Sequence, residues 1–168
     1  MGKMKYCPIC ATKLIKGKID GRTRLGCASD SCDYVFWDNP NPVVAAIVEM
    51  NEGIVLIRNK GWPRWWYGIV TGYLEKGETP EDGVLREVSE ELGLNGQIVS
   101  FVGYYSFSQL NQLILAFHVR AEGDITIGDE LEAYKFVPPG ELKPWSIGTG
   151  PAVRDWLEAW KMSKEEVG

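Results

Sequence analysis

All four cysteines of this 168-residue chain lie within its first 32 residues, as Cys7-Pro8-Ile9-Cys10 and, sixteen residues on, Cys27-Ala28-Ser29-Asp30-Ser31-Cys32. Two close pairs separated by the length of a strand–turn–strand bring four sulfurs to one point, the spacing of a four-cysteine zinc site. Asp20-Gly21 marks a hairpin turn inside that insert, between Leu14-Ile15 and Arg24-Leu25. Disulfides are the rival pairing. The chain runs Met1-Gly2-Lys3-Met4-Lys5-Tyr6 into a cysteine before any hydrophobic stretch, so no signal peptide is expected and a cytoplasmic setting disfavours them. Four thiolates leave no open coordination position, so the expectation is one structural zinc held by Cys7, Cys10, Cys27 and Cys32.

Charge divides the chain at the same place. Residues 1–37 carry seven Lys/Arg against three Asp, while the remainder carries 11 Lys/Arg against 20 Asp/Glu. Two modules are therefore expected: a small β zinc ribbon over 1–37 and a larger domain over 38–168, joined at Asn39-Pro40-Asn41-Pro42. Thiolates bound to zinc would cancel part of the basic charge, and the acidic larger module argues against nucleic acid as a general partner. The longest apolar run, Val43 to Val48, is far short of the ~18 residues of a membrane span, so no membrane association is expected.

In the larger module, strands are expected at Val43–Glu49, Ile54–Arg58, Ile98–Val102, Leu113–Val119 and Tyr134–Val137, with a hairpin turn at Asn51-Glu52-Gly53. Thr79-Pro80-Glu81-Asp82 is a helix start and Leu92-Gly93 its stop. A second helix opens at Pro151, with Ala152, Val153, Trp156, Leu157 and Trp160 on one face. Strands interleaved with two helices indicate an α/β layer fold.

On the first helix Val84, Leu85, Val88 and Leu92 form an apolar stripe, and Glu87, Glu90 and Glu91 an acidic arc beside it, with Glu91 nearest the apolar edge. Like charges at i,i+3 and i,i+4 repel unless a cation offsets them. Three hard oxygen donors there suit Mg²⁺ or Mn²⁺, and the other reading, a solvated charged face, stays open on the residues alone.

The stretch from Gly72 to Leu94 resembles the signature of the Nudix hydrolase family: Gly72, Glu78, Arg86, Glu87, Val88, Glu90, Glu91, Gly93 and Leu94 fill its nine fixed positions. The cysteine-rich head followed by an Asn-Pro linker is similar to that of the zinc-ribbon Nudix subgroup. The resemblance implies a Nudix-like α/β/α sandwich with a mixed sheet, and a pyrophosphohydrolase acting on the diphosphate of a nucleoside diphosphate derivative. It further implies Glu87 and Glu91 as principal Mg²⁺ or Mn²⁺ ligands, with Glu90 supporting them and the Gly72 carbonyl in reach. Glu78 and Arg86 would form the ion pair that orients the motif, and a general base would lie outside it, at Glu130 or Glu132, with Glu130 favoured. Similar enzymes are often homodimers, so a homodimer is an expectation of the resemblance.

The stretch from Tyr104 to Gln112 lacks the Ser-Gln-Pro-Trp signature of the family's NADH pyrophosphatases, which leaves NADH, ADP-ribose and FAD open as substrates. Aromatic side chains are expected to stack on the base: Trp62 and Trp65 ahead of the motif, and Tyr104 and Tyr105 after it, with Trp66 in the core. His118 is expected to pack. The competing function class is a non-catalytic nucleotide- or nucleic-acid-binding module built on the ribbon, and RNA decapping is a minor option within the enzyme class.

Overall fold

The computed structural model describes residues 4–51 and 53–165, which divide into two compact units meeting between Asn39 and Pro40. In the first unit β1 (Leu14–Ile19), β2 (Arg22–Cys27) and β3 (Val35–Phe36) form an antiparallel sheet in that order. Asp20 and Gly21 join β1 to β2 with φ of 49° and 74°. Two successive left-handed residues twist the chain in the sense a two-residue hairpin needs. Among the described residues of this unit only Cys7 and Leu14 are buried.

The second unit is built around β4 (Asn41–Met50). Its neighbours are β5 (Gly53–Asn59), β6 (Val70–Tyr73), α1 (Pro80–Leu92), β7 (Asn95–Phe107), β8 (Gln112–Glu122), β9 (Leu131–Val137) and α2 (Gly150–Glu165). The sheet order is β7-β8-β4-β5-β9, with β6 also on β4. The β4–β8 pair is parallel and the others antiparallel, so the sheet is mixed.

Six consecutive β4 residues are buried because the strand is covered on both faces. Val44, Ala46 and Val48 pack with Val84, Val88 and Leu92 of α1. Val43, Ala45 and Ile47 pack with Ala152, Val153, Trp156 and Leu157 of α2. The period-2 strand thus feeds two cores at once, and the result is an α/β/α sandwich. His118 lies on the α2 side, hydrogen-bonded to Glu49 at 3.0 Å with its ring 5.3 Å from that of Trp156. Burial lowers its pKa, against the opposing pull of Glu49, so the ring packs in its neutral form. No helix among the described residues is long and apolar enough to cross a membrane.

In the second unit one strand has no counterpart among those expected from the sequence. β6 takes Val70–Tyr73 alongside Val43–Ala46 of β4, whereas β5 pairs with β4 only at Glu49 and Met50. One edge of β4 is therefore shared by two strands that diverge, and Gly68 bridges back to Ile57. The turn expected at Asn51-Glu52-Gly53 joins β4 to β5, and its central residue, Glu52, lies outside the described residues.

Candidate active site

Helix α1 is fixed at both ends by its own sequence. Thr79 Oγ1 accepts from Asp82 N–H at 3.1 Å, Pro80 occupies the first turn, and Gly93 closes the helix at φ 68° with its N–H on Ser89 O. The next loop docks on the carbonyls left over at that end: Thr126 N–H donates to Leu92 O and Gly128 N–H to Glu91 O, each at 2.9 Å. This docking carries Asp129 and Glu130 to the acidic arc. A Cβ on Gly128 would sit 2.5 Å from Glu90 O. Gly128→Ala should therefore push the loop off the helix, lowering stability by about 1–3 kcal/mol in a denaturant titration and reducing activity with it.

Arg86 organises the acids. Its Nε and Nη2 donate to the two oxygens of Glu78 at 2.8 and 3.1 Å, its Nη1 to Glu87 at 2.7 Å and Glu90 at 3.0 Å, and its Nη2 also to Tyr73 O at 3.1 Å. This fork ties the loop before the helix to the helix itself and to β6. The Arg86 hydrogen bonds, with the Glu75 N–H, hold the Glu78 carboxyl below the usual carboxylate range.

Glu91 is only 7% exposed, its Oε2 is buried, and no described residue donates to that oxygen. Burial first, then the charges of Glu87, Glu130 and Glu90, push its pKa up to about 8. Burial also raises Glu87, opposed by Arg86. The Glu87 carboxylate nests against Gly72, where a Cβ on Gly72 would overlap it. An orphaned buried oxygen, a crowded set of carboxylates and a glycine cradle form a hard-oxygen donor set that fits a divalent cation.

These groups line a cleft of about 840 Å³, within the range of small-molecule sites. Glu87, Glu90, Glu91, Glu130, Arg86 and Gly72 all border it. Glu132 instead pairs with Arg58 at 3.5 Å and is not among the lining residues. Four aromatic side chains also border the cleft: Trp62, Trp66, Phe107 and Trp145.

The aromatic platform differs from expectation. Trp62 lines the cleft, but Trp66 does too, 37% exposed rather than in the core, because the β5–β6 connection runs along the cleft wall. Trp65 stacks on Trp66 with centroids 5.8 Å apart and lies outside the lining. Tyr104 is exposed on β7, and the Tyr105 hydroxyl donates to Asp155 of α2 at 2.8 Å, so neither borders the cleft. Asn59, absent from the sequence reading, borders the cleft with a buried, unpartnered Oδ1. No local sequence signal marks it.

A protein-family profile, the NUDIX domain, matches residues 39–157. The chain belongs to the Nudix family. A Pseudomonas putida protein named NAD-capped RNA hydrolase NudC is 29% identical over 119 residues, 70% of this chain and 43% of the relative. Along the NudC relatives, then, the chain spans half their length or less. An ADP-ribose pyrophosphatase of Methanocaldococcus jannaschii is 27% identical over 135 residues, 76% of this chain and 79% of the relative. The fold is that of a Nudix hydrolase crystal structure from Nitrosomonas europaea, with a TM-score of 0.77 at 24% identity, covering 92% of this chain and 91% of that one.

In the first unit the four Cys sulfurs lie within 4.8 Å of one another. Cys7–Cys32 and Cys10–Cys27 are 3.7 and 3.4 Å apart. A tetrahedron with ~2.3 Å zinc–sulfur bonds has edges near ~3.8 Å, whereas a disulfide is ~2.05 Å long. All four are free thiols. Ile9 N–H donates to Cys7 Sγ at 3.4 Å. The donor set fits a structural zinc ion.

Proposed function

We propose that this Nudix protein is a metal-dependent pyrophosphohydrolase that cleaves the diphosphate of a nucleoside diphosphate derivative such as ADP-ribose, NADH or FAD. The observation that carries the reading is one cleft bordered both by the helix carboxylates, with the buried, unpartnered Glu91 Oε2 among them, and by aromatic rings. The names of the two relatives support it, because NAD and ADP-ribose share an adenosine diphosphate unit.

Glu87, Glu90 and Glu91 would hold Mg²⁺ or Mn²⁺, with the Gly72 carbonyl beside them. Bound there, such ions neutralise phosphate charge and lower the pKa of water. Arg86 and Glu78 position the helix glutamates against β6. Glu130 accepts the proton of the attacking water, and Trp62 and Trp66 stack on the base. Asn59 and Phe107 also border the cleft. In the first unit Cys7, Cys10, Cys27 and Cys32 hold one structural zinc ion.

The test is a panel of NADH, FAD, ADP-ribose, dinucleoside polyphosphates and nucleoside triphosphates with Mg²⁺ and Mn²⁺ in ¹⁸O-labelled water. A nucleoside monophosphate and label on a phosphate product are expected. No cleavage anywhere in the panel, or label in a sugar or base, defeats the reading. Trp62→Ala should raise KM about 10-fold with kcat little changed, since base–aromatic stacking contributes about 1–3 kcal/mol and acts mainly on binding.

A further inference from the structure

The charges of the cleft are lopsided. Among the described residues that line it, Glu75, Glu87, Glu90, Glu91, Asp129 and Glu130 are acidic, and Arg86 is the sole cation. Arg86 has no donor to spare for a ligand, because Glu78, Glu87, Glu90 and Tyr73 O take its Nε and both terminal nitrogens. Beyond the helix glutamates the walls carry further acids (Glu75, Asp129, Glu130), neutral polar residues such as Asn59, Thr71 and Gln112, and apolar or aromatic side chains such as Trp62, Leu110 and Ile147, with no lysine among the described lining residues.

From this asymmetry we infer that the cleft selects nucleoside diphosphate derivatives whose only charged group is the diphosphate, and turns away those carrying a further phosphate on the sugar or the chain. The inference rests on the pyrophosphohydrolase reading and narrows its substrate class. The diphosphate is the part that ions on the helix glutamates would compensate. A further phosphate would enter a space whose described walls hold several carboxylates and, apart from the fully engaged Arg86, no cation to offset them. In a partly enclosed cleft a like-charge juxtaposition is screened less than on an open surface, so it discriminates strongly. Specificity here comes from the repulsive element as much as from the stacking platform.

The experiment compares kcat/KM of the full chain for matched pairs: ADP-ribose against its 2′-phosphate, and NADH against NADPH. The unphosphorylated member of each pair should be preferred at least ~10-fold, with the gap narrowing as ionic strength rises. Leu110→Lys and Ile147→Lys each place a cation on the wall at a position already 56% and 44% exposed, so folding should tolerate them. Melting temperatures verify that. At least one of the two should narrow the preference several-fold relative to its own rate on ADP-ribose.

Equal rates on both members of each pair would overturn the inference and leave the pyrophosphohydrolase reading standing. A preference that neither salt nor either lysine narrows means exclusion by shape, and also overturns it. If no pair is hydrolysed at all, the underlying reading falls and takes the inference with it.

Discussion

Glu91→Gln and Glu87→Gln should each reduce turnover by orders of magnitude under saturating Mg²⁺. Each exchange removes a charged oxygen donor from the cluster that would hold the ion, and neutral amides bind hard divalent cations weakly. Glu90→Gln should be milder, because Glu90 is largely exposed and shares Arg86 with two stronger partners. The two large effects differ in what else they disturb. Glu87 accepts from Arg86 at 2.7 Å, so its loss loosens the fork as well. Glu91 has no such partner among the described residues, and its replacement should leave the fold intact.

A pH experiment separates these roles without substrate. With its pKa pushed from 4.5 to about 8, Glu91 in metal-free protein keeps a proton that the unfolded chain has already released. Stability from this group is therefore full below about 4.5 and declines as pH rises through about 8. Melting temperatures in chelator from pH 5 to 9 should fall for the wild type and fall less for Glu91→Gln. Wild-type turnover in both Gln variants would refute the metal-site assignment outright.

How much of this was legible in the sequence depended on the range of the interactions involved. Helix α1 was readable because its cap, its proline, its apolar stripe and its αL stop are all local. The burial of Glu91 followed from its place at the edge of that stripe. Strand β6 was not readable: four residues that include Thr71 and Gly72 are too few for a period-2 pattern, and only the register with Val43–Ala46 makes them a strand. Glu130 was a candidate by position, but its arrival beside Glu91 depends on two loop N–H groups finding the free carbonyls of α1. The aromatic residues show the limit most plainly. Trp62, Trp65 and Trp66 share one short segment, yet a cleft wall takes the first and third and leaves the middle one stacked outside. Tyr105, half a hundred residues from Asp155, is claimed by a partner no local pattern reveals.

Cys7→Ser should melt the first unit while leaving the second folded. Between residues 4 and 39 only Cys7 and Leu14 are buried, so apolar burial there amounts to a few kcal/mol. Ordering a chain costs roughly 1–2 kcal/mol per residue, which that burial cannot offset. A four-ligand zinc site contributes folding free energy directly, the staple that a unit with so small a core needs. The second unit needs no such support, since α1 and α2 each close a hydrophobic cluster against the sheet. Calorimetry of the full chain should accordingly show the wild type binding one zinc ion, and Cys7→Ser losing both the ion and the unfolding transition of the ribbon. The transition of the second unit should stay within a few degrees of its wild-type temperature, and a strong chelator should reproduce the same pattern in the wild type. Hydrolysis should change only indirectly, because the cleft is lined by residues from Val43 to Thr149. A Cys7→Ser variant that keeps its zinc and both transitions unchanged would mean that the four sulfurs do not share an ion.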